Sequence, residues 1–481
     1  MLKLEPRKVW EHFENLCAIP RPSGHEKAAG DYVISVAKAH NLPWERDRVG
    51  NIVVRVPASP GKEKSPTVVL QGHTDMVCEK NREVKHDFLK DPIRPRIEGE
   101  VVKASGTTLG ADNGIGVAMA LALLDEPKAV HGPLELLFTI DEETGLNGAN
   151  NLEPAFVKGR ILLNLDTEED GQLYVGCAGG KDTEMVLPVK RSLEADPRPV
   201  RTVVVKGLRG GHSGGDIHEG RGNANRILAR ALSVLEEGGI SFALVSVSGG
   251  SKRNAIPREA FAVLHLDAAA AKKAASLLAA FEKTVRAELK GVDEGISLAL
   301  EKGKAPWPPL AAASQKKVLH FLGAVPHGLI SYSREIHGLV ETSTNFAIVE
   351  TAEKTLSVFT SQRSSVESQR DWAAWWVANV GRLAGAKVRH SFGYPGWQPN
   401  LDSRVLAQAK KTYRRLFKQD PLVKAIHAGL ECGIIGSKYP GMDMVSLGPT
   451  IRNAHSPDEE VHIASVGSTY RFLLELLKDL C

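Results

Sequence analysis

Hydrophobic and polar positions follow one pattern in the first 185 residues of this 481-residue chain and another pattern afterwards. In the first part, short apolar segments are separated by amphipathic ones. The segments "NIVVRV", "TVVLQ", "LELLFTI" and "RILLNLD" are typical of buried strands, whereas "PRKVWEHFENLCAI", "HEKAAGDYVISVAKAH" and "NGIGVAMALALL" have helical spacing. Strands that alternate with helices predict an α/β fold, in which helices cover a mixed, largely parallel sheet.

After residue 185 this alternation stops. The segments "TVVVKGL", "FALVSVSGG", "EAFAVLHLD" and "TLSVFTS" are strand-like, and "ANRILARALSVLEE" and "AAAAKKAASLLAAFEKTVRAEL" are long amphipathic helices. This part predicts a separate α+β domain that ends at the turns of "GYPGWQPN". The remaining segment is too short to fold alone. We therefore predict one domain made of residues 1–185 and 396–481, with a second domain of residues 186–395 inserted into it.

Composition and charge narrow the class of protein. The chain is 42% hydrophobic and 25% charged, and its net charge of +4 comes from dispersed Lys and Arg residues, which argues against a nucleic-acid surface. The five cysteines are odd in number and widely spaced, so they indicate neither a disulfide framework nor a CxxC metal site. The first residues contain no apolar signal-peptide core, and no apolar run is long enough to span a bilayer. We expect a cytoplasmic protein.

Acids and histidines cluster at the predicted carboxyl ends of the strands. In open parallel sheets this edge is where ligands bind. The candidates are His73 and Asp75 after "TVVLQ", Glu142 and Glu143 after "LELLFTI", Asp166 at the end of "RILLNLD", His455 after "MVSLGPTIRNA", and Asp112 in the glycine-rich loop "GTTLGADNGIG". Each one alone is unremarkable, because strand ends are usually polar. Their coincidence at one edge predicts a shared site.

The residue types at this edge indicate metal chemistry. Two histidines with several carboxylates suit a divalent ion such as Zn²⁺, and the absence of a cysteine ligand is typical of a catalytic site. There are more carboxylates than one tetrahedral ion needs, which favours two metals that share a bridging carboxylate and activate a water molecule. In the doublet Glu142-Glu143, one carboxylate can bind metal while the other acts as a general base. Adjacent strand residues point to opposite faces, so the backbone must bend here.

A serine nucleophile is the competing interpretation. The segment "GHSGG" around Ser213 matches the G-x-S-x-G motif, which requires a helix directly after the serine. Helix signals appear only after Asn223. The sequence therefore favours the metal site over a serine hydrolase.

Several motifs together resemble a known family along nearly the whole chain. "IPRPSGHE", "DRVGNIVV", "LQGHTDMV", "GADNGIGVAMALAL", "DEETG" and "NLD" occur in the order seen in the di-zinc aminoacylase/carboxypeptidase-G superfamily. "GGHSGGDIHEGRGNA", "SVFTSQRSSVES", "HAGLECG" and "RNAHSPDE" resemble its aminoacyl-histidine (Xaa-His) dipeptidase branch. The resemblance implies a di-zinc exopeptidase fold with an inserted lid domain. It also implies hydrolysis of dipeptides, including Xaa-His substrates such as β-alanyl-histidine.

The resemblance further implies a role for each candidate residue. Two Zn²⁺ ions per subunit are expected, with Co²⁺ or Mn²⁺ able to substitute. The implied metal ligands are His73 and Asp166 for one ion, Glu143 and His455 for the other, and Asp112 as the bridge. The implied roles of the remaining residues are general base for Glu142, orientation of the His73 ring for Asp75, polarisation of the scissile carbonyl for His212, and substrate binding for His212, Asn254 and Arg363.

Two questions stay open at this level. A deacylase of N-acyl amino acids could use the same metal site, so the substrate class has an alternative within the superfamily. In shorter relatives the lid histidine comes from the partner subunit, which makes a homodimer through the lid one possible arrangement. His212 could then act in its own chain or in the partner's. No nucleic-acid or membrane partner is expected.

Overall fold

The computed structural model describes residues 2–481, and this part of the chain divides into two compact units. The first unit contains the chain up to Gly176 together with Trp397–Ala425 and Leu430–Cys481, and the second contains Cys177–Gly396 and Ile426–Gly429. This division differs from the sequence-based boundaries in two places. The predicted boundary at residue 185 lies inside the strand Gly179–Pro188, which pairs along its whole length with Thr355–Ser364 of the second unit. The predicted segment 396–481 is interrupted, because Ile426–Gly429 groups with the second unit.

A mixed eight-stranded sheet forms the centre of the first unit. Its strands, in spatial order, are Trp44–Arg46, Ile52–Val56, Leu134–Thr139, Val68–His73, Ile161–Asn164, Asp443–Ser446, Gln172–Cys177 and Leu422–Ile426. The Val68–His73 strand pairs in parallel with its neighbours on both sides, and Ile161–Asn164 pairs in parallel with Asp443–Ser446. Antiparallel pairs lie towards the edges. The predicted α/β fold with a mixed sheet is confirmed, with the parallel pairing confined to the middle.

The middle of this sheet is covered on both faces. All six residues of Val68–His73 and all six of Leu134–Thr139 are buried, whichever way their side chains point. The covering layers come from eight helices and one short 3₁₀ turn, which are Arg7–Cys17, Lys27–Ala39, Ala111–Ala122, Leu123–Asp125 (3₁₀), Glu142–Gly145, Asn147–Asn151, Arg404–Phe417, Glu431–Lys438 and Ile463–Asp479. A small sheet lies apart from the central one and consists of Ile451–Arg452, Glu460–His462, Val101–Lys103 and Arg96–Glu98.

The second unit is an α+β unit built on an antiparallel sheet. Its nine strands are Ser297–Lys302, Val200–Lys206, Ala260–His265, Ala243–Gly249, Val340–Thr351, Thr355–Ser364, Gly179–Pro188 and Lys387–His390 in spatial order, with Gly328–Tyr332 also pairing with Val340–Thr351. Its helices are Ala224–Glu237, Ala268–Glu288, Ala312–Ala324 and Glu367–Ala384. Apolar residues of the sheet and helices form one continuous core. A separate two-stranded ribbon joins Gly211–His212 to Ala255–Ile256.

Two of the four helices in the second unit begin at a side-chain cap. The side chain of Asn223 accepts a hydrogen bond from the backbone N–H of Arg226, and Asp267 accepts one from Ala270. Such caps satisfy backbone donors that have no partner within the helix.

None of the helices described for residues 2–481 combines the length and apolarity needed to cross a membrane.

Candidate metal centre

The parallel strands bring the first group of predicted residues to one edge of the central sheet. His73 is the last residue of its strand, and the next strand ends at Thr139, three residues before Glu142. Asp166 follows the end of the strand Ile161–Asn164. Because these strands run in the same direction, their carboxyl ends meet at the same edge. This edge therefore collects side chains that are far apart in sequence.

The backbone bends sharply at the Glu142-Glu143 doublet. Asp141 is in the left-handed region with φ of 50°, and the short helix Glu142–Gly145 starts directly after it. The bend points the N–H groups of Glu142 and Glu143 at Asp75, whose Oδ1 and Oδ2 accept them at 3.1 Å and 3.2 Å. The carboxylate of Asp75 thus holds the doublet as well as facing His73, whose Nδ1 is 3.2 Å from Asp75 Oδ1.

Asp112 lies between the two histidines. Its Oδ1 is 3.1 Å from Nε2 of His73, and its Oδ2 is 3.0 Å from Nε2 of His455. The helix that begins at Ala111 approaches the strand closely, because a Cβ added to Gly72 would lie only 2.3 Å from Oδ1 of Asn113. Glycine at position 72 therefore permits the approach that brings Asp112 to His73.

Two groups of potential ligands share this aspartate. His73, Asp112 and Asp166 form one group, and Asp112, Glu143 and His455 form the other, with the ligand atoms of each group within 4.8 Å of one another. Nε2 of His73 lies 3.3 Å from Oδ1 of Asp166, and Nε2 of His455 lies 3.1 Å from Oε2 of Glu143. Each carboxylate oxygen of Asp112 thus faces one histidine, and each histidine has one further carboxylate beside it.

Glu142 lies at the same place without being needed by either group. One of its carboxylate oxygens is within 4.8 Å of ligand atoms of His73 and Glu143. The centre therefore contains one more carboxylate than the two three-residue groups require.

The electrostatics of the centre favour a bound cation. Hydrogen bonds that the His455 ring donates to the carboxylates of Asp112 and Glu143 raise the pKa of His455 to about 11. Burial opposes protonation of His73, yet the charge of Asp166 and the contact with Asp112 raise its pKa well above the usual value. Burial, together with the neighbouring carboxylates, raises the pKa of Asp166 to about 6. The acids outnumber the histidines in a buried place, so they draw positive charge towards them.

The residues fit divalent metal ions. Oδ1 of Asp166 and Oε1 of Glu143 are buried and accept no hydrogen bond from the described residues, an arrangement that costs free energy unless another positive partner is present. Imidazole nitrogens and carboxylate oxygens without a thiolate suit borderline or hard divalent ions. Asp75 faces Nδ1 of His73, which leaves Nε2 directed at Asp112 and Asp166.

In the second unit, Arg363 is the centre of a polar cluster. Arg363 is 7% exposed, and its guanidinium donates from Nη1 to the hydroxyl of Tyr394 at 2.8 Å and from Nε to Oγ of Ser213 at 3.3 Å. Its Nη2 lies 3.4 Å from Nε2 of His212. No carboxylate within residues 2–481 forms an ion pair with this buried cation, which therefore suits an anionic group of a ligand.

The backbone determines which nitrogen of the His212 ring carries hydrogen. The N–H of Gly215 donates to Nδ1 at 3.0 Å, so a neutral ring carries its hydrogen on Nε2. The turn is compact at Gly214, where an added Cβ would lie 2.0 Å from the carbonyl oxygen of His427. In a neutral ring the hydrogen is therefore on Nε2, the nitrogen that lies 3.4 Å from Nη2 of Arg363.

The structure lacks the geometry of a serine nucleophile at Ser213. The next helix begins only at Ala224, and the Ser213 hydroxyl accepts a hydrogen bond from Arg363. A nucleophile elbow needs a helix directly after the serine and a base beside it. Asn254 is exposed and is next to this turn through its backbone, since its carbonyl accepts the N–H of Ser213 at 2.8 Å.

Some residues of these clusters have no role in the sequence-based prediction. Tyr394 comes from a segment that indicated only turns, and its ring packs where Gly180 and Gly429 leave room. His427 donates or accepts a hydrogen bond with Ser343 at 2.7 Å, and burial followed by the charge of Arg363 lowers its pKa to about 3. The motif "HAGLECG" was the available signal for His427, but it carried no chemical role.

A buried acid beside the metal centre was also missed. Glu431, from the same motif, accepts hydrogen bonds from Nε2 of Gln71 at 2.6 Å and from Oγ1 of Thr139 at 2.6 Å. Burial raises its pKa to about 7. Glu431 therefore ties together the two strands that end in His73 and before Glu142.

The chain is similar to known proteins along nearly its whole length. The chain is 45% identical to the cytosol non-specific dipeptidase of Escherichia coli (strain K12) over 480 residues, which cover 99% of this chain and 98% of the relative. It is similar to the crystal structure of an aminoacylhistidine dipeptidase from Vibrio alginolyticus, with 42% identity, a TM-score of 0.88 and coverage of 99% and 97%. A tripeptidase from Staphylococcus aureus shares the fold at 16% identity and a TM-score of 0.59, with 99% of both chains covered.

The family assignment rests on most of the chain. Residues 69–479 match peptidase family M20/M25/M40, and this range contains every candidate ligand from His73 to His455. The members of this family depend on metal ions. The protein belongs to peptidase family M20/M25/M40.

Proposed function

We propose that this protein is a metal-dependent dipeptidase that hydrolyses unblocked dipeptides, Xaa-His substrates among them. The observation that carries the proposal is the position of Asp112, whose two carboxylate oxygens each face one histidine that has a second carboxylate beside it. The names of the two relatives that span nearly the whole chain support the substrate class.

The proposal assigns two metal ions to the centre. His73 and Asp166 would hold one ion, Glu143 and His455 would hold the other, and Asp112 would bridge them. Zn²⁺ suits these ligands best, and Co²⁺ or Mn²⁺ can take the same donors. When bound, such ions supply Lewis-acid activation of water and of the scissile carbonyl group.

Glu142 moves the proton in this proposal. Its carboxylate lies among the ligand atoms without being needed by either three-residue group. It would take a proton from the attacking water and return it to the nitrogen of the leaving amino acid. Asp75 supports this role, because it holds the backbone N–H of Glu142 and the ring of His73 with one carboxylate.

The proposal assigns recognition of the substrate to residues of the second unit. Arg363 would bind the C-terminal carboxylate of the dipeptide, since a guanidinium pairs with a carboxylate through two parallel hydrogen bonds. His212 would donate from Nε2 to the carbonyl oxygen as negative charge develops on it. Asn254 would contribute a further hydrogen bond to the substrate. If both the amino end and the carboxylate end of the substrate must be bound, dipeptides would be favoured over longer peptides.

We also propose a cellular location and an oligomeric state for the protein. We place the protein in the cytoplasm, in keeping with the name of the Escherichia coli relative. A homodimer formed through the second unit is the proposed assembly, which sedimentation of the purified protein would test. A monomer at working concentration would remove the dimer without affecting the assignment of the metal centre.

The test combines metal analysis with a substrate panel. The purified protein is assayed with β-alanyl-histidine, other dipeptides, a hexapeptide and N-acetyl amino acids, before and after treatment with a chelator. We expect two ions per chain, turnover of dipeptides that the chelator abolishes, and restoration by Zn²⁺, Co²⁺ or Mn²⁺. Turnover of N-acetyl amino acids alone would make the protein a deacylase. Comparable turnover of dipeptide and hexapeptide would contradict the substrate-length part.

The variant Ser213→Ala is the matched control for the serine-hydrolase interpretation. A serine hydrolase would keep its activity in chelator and lose it in this variant. The metal mechanism predicts the opposite result, in which chelator abolishes turnover and the variant keeps most of it.

A further inference from the structure

Glu459 is a buried carboxylate that accepts hydrogen bonds from the backbone of the segment that ends at Asp112. It is 2% exposed and lies at the end of the loop that carries His455. Its Oε2 accepts the backbone N–H groups of Leu109 and Gly110 at 2.7 Å and 2.9 Å. Its Oε1 accepts those of Ala111 and Asp112 at 2.8 Å and 3.2 Å. One side chain thus satisfies four consecutive backbone donors.

The buried cation Arg21 binds a backbone carbonyl group of the same segment. Arg21 is 1% exposed, and its Nη2 donates to the carbonyl of Gly110 at 2.5 Å. Its Nη1 donates to the carbonyls of Thr74 and Asp75 at 3.1 Å and 2.8 Å. The space is fully used, because a Cβ added to Gly110 would lie 2.6 Å from the Arg21 guanidinium. The segment 109–112 therefore lies between a buried anion and a buried cation.

The loop of His455 and Glu459 is itself compact. The N–H of Glu459 donates to the carbonyl of Ser456 at 3.1 Å, and the hydroxyl of Ser456 donates to the carbonyl of Asn453 at 2.8 Å. The first part of the loop brings His455 to Oδ2 of Asp112, and its last residue holds the backbone of Asp112. The separation between His455 and Asp112 is thus set twice by one short loop.

We propose that Glu459 is a positioning residue that fixes Asp112 against His455 and thereby sets the affinity of the centre for metal ions. The inference rests on the proposed metal centre and adds a residue that touches neither metal nor substrate. An amide at this position would offer one acceptor oxygen and direct an NH₂ group at backbone donors, so the grip on the segment would be lost on one side. Groups that orient metal ligands typically change affinity about 10- to 100-fold when they are replaced.

The test compares Glu459→Gln with a matched buried carboxylate. Glu135 is 3% exposed, lies in the same unit, and accepts the N–H groups of Lys158 and Gly159 at 2.7 Å and 2.9 Å. It stands near the start of the strand Leu134–Thr139, at the opposite end from the doublet. Affinity for Zn²⁺ and Co²⁺ is measured by competition with a chromophoric chelator, and thermal unfolding of the metal-free proteins is followed by circular dichroism.

The expected result separates positioning from stability. Both Glu459→Gln and Glu135→Gln should unfold at lower temperature than the wild type, since the first loses buried hydrogen bonds and the second loses the charge of Oε1 that lies 3.6 Å from Nε of Arg55. Only Glu459→Gln should bind metal about 10- to 100-fold more weakly. Wild-type metal affinity in Glu459→Gln, with only its unfolding temperature lowered, would overturn the inference.

A second variant and the wild-type protein provide two further tests. If Glu459→Gln does not fold, Glu459→Asp keeps the charge and moves the carboxylate by one methylene. We expect it to fold with weakened metal binding, and wild-type affinity in this variant would also overturn the inference. Absence of metal binding in the wild type itself would refute the proposed function, and the inference with it, before any variant is compared.

Discussion

The two units of the molecule contain polar clusters of opposite charge. The centre in the first unit has four carboxylates around two histidines, and its histidines have raised pKa values because of those acids. The cluster in the second unit has a buried guanidinium without an acidic partner, and the pKa of its His427 is lowered by burial and by Arg363. The first cluster attracts cations and the second attracts anions. The proposed function assigns metal chemistry to the first cluster and recognition of a carboxylate to the second.

The largest expected effect is the loss of the proton carrier. Glu142→Gln should keep both metal ions and lower kcat by about 100- to 10,000-fold, because only the general base is removed. Metal content by elemental analysis and kcat on a dipeptide check this prediction. A variant that loses metal instead would mean that the roles of Glu142 and Glu143 are exchanged.

His212→Ala tests whether the second unit takes part in catalysis. We expect kcat to fall about 100- to 1,000-fold, as for other donors that stabilise an oxyanion, with metal content and unfolding temperature unchanged. Ser213→Ala is the neighbouring control, and it should retain most of the activity. Near-normal kcat in His212→Ala would remove this residue from the mechanism.

Arg363→Ala should act on substrate binding more than on the chemical step. The loss of a charged hydrogen-bonding partner, about 1.5–3 kcal/mol, would raise KM for dipeptides roughly 10- to 150-fold. A dipeptide amide, which lacks the carboxylate, is the matched substrate. The wild type should disfavour the amide, and the variant should treat both substrates nearly alike. Discrimination that persists in the variant would place carboxylate recognition elsewhere.

The next comparison separates a ligand from the residue that orients it. His73→Ala should lose a metal ligand outright, whereas Asp75→Ala should weaken metal binding by about 10- to 100-fold. Competition with a chelator gives both affinities. Because Asp75 also holds the N–H groups of Glu142 and Glu143, its variant should lose kcat even at saturating metal. Equal metal affinities in the two variants would argue that Asp75 is itself a ligand.

The last prediction concerns the pH dependence of stability. The pKa of His427 is lowered to about 3, so the folded state keeps the neutral ring where an unfolded chain would take up a proton. The unfolded state then binds more protons between pH 6.5 and 3, and stability falls as the pH falls through this window. His427→Gln should remove up to one proton from this dependence, about 1.4 kcal/mol per pH unit. Urea unfolding at several pH values measures the difference, and parallel curves for variant and wild type would contradict it.

Much of the fold, and the strands that lead to the candidate residues, could be predicted from the sequence. The apolar segments before His73, Glu142 and Asp166 form strands in the structure. His73 is the last residue of its strand, and Glu142 and Asp166 come shortly after the ends of theirs. The α/β class also follows from the local pattern of apolar segments, and the bend at the doublet was expected because adjacent strand residues point to opposite faces. The assignment of metals and substrate to these residues remains a proposal that the experiments above address.

The clusters themselves needed the tertiary structure. Tyr394 beside Arg363, Glu431 under the strand ends, and Glu459 at the segment of Asp112 join residues separated by up to 360 positions. Nothing in the spacing of residues along the chain encodes such pairs, since a buried acid with backbone partners has the same local sequence as an acid in solvent. Residue 185, the predicted boundary, lies inside the strand Gly179–Pro188, whose pairing with Thr355–Ser364 is also a contact between distant parts of the sequence.

The sequence by itself determined the elements and the chemical types available at their ends, because the alternation of apolar and polar residues dictates which segments form strands and helices. The tertiary structure decided which of these residues meet, in which protonation state, and what holds them there. The physical reason is that hydrogen bonds and charge interactions act through space. Asp75, Arg21 and Glu459 therefore acquired their roles only when the strands and loops were brought together.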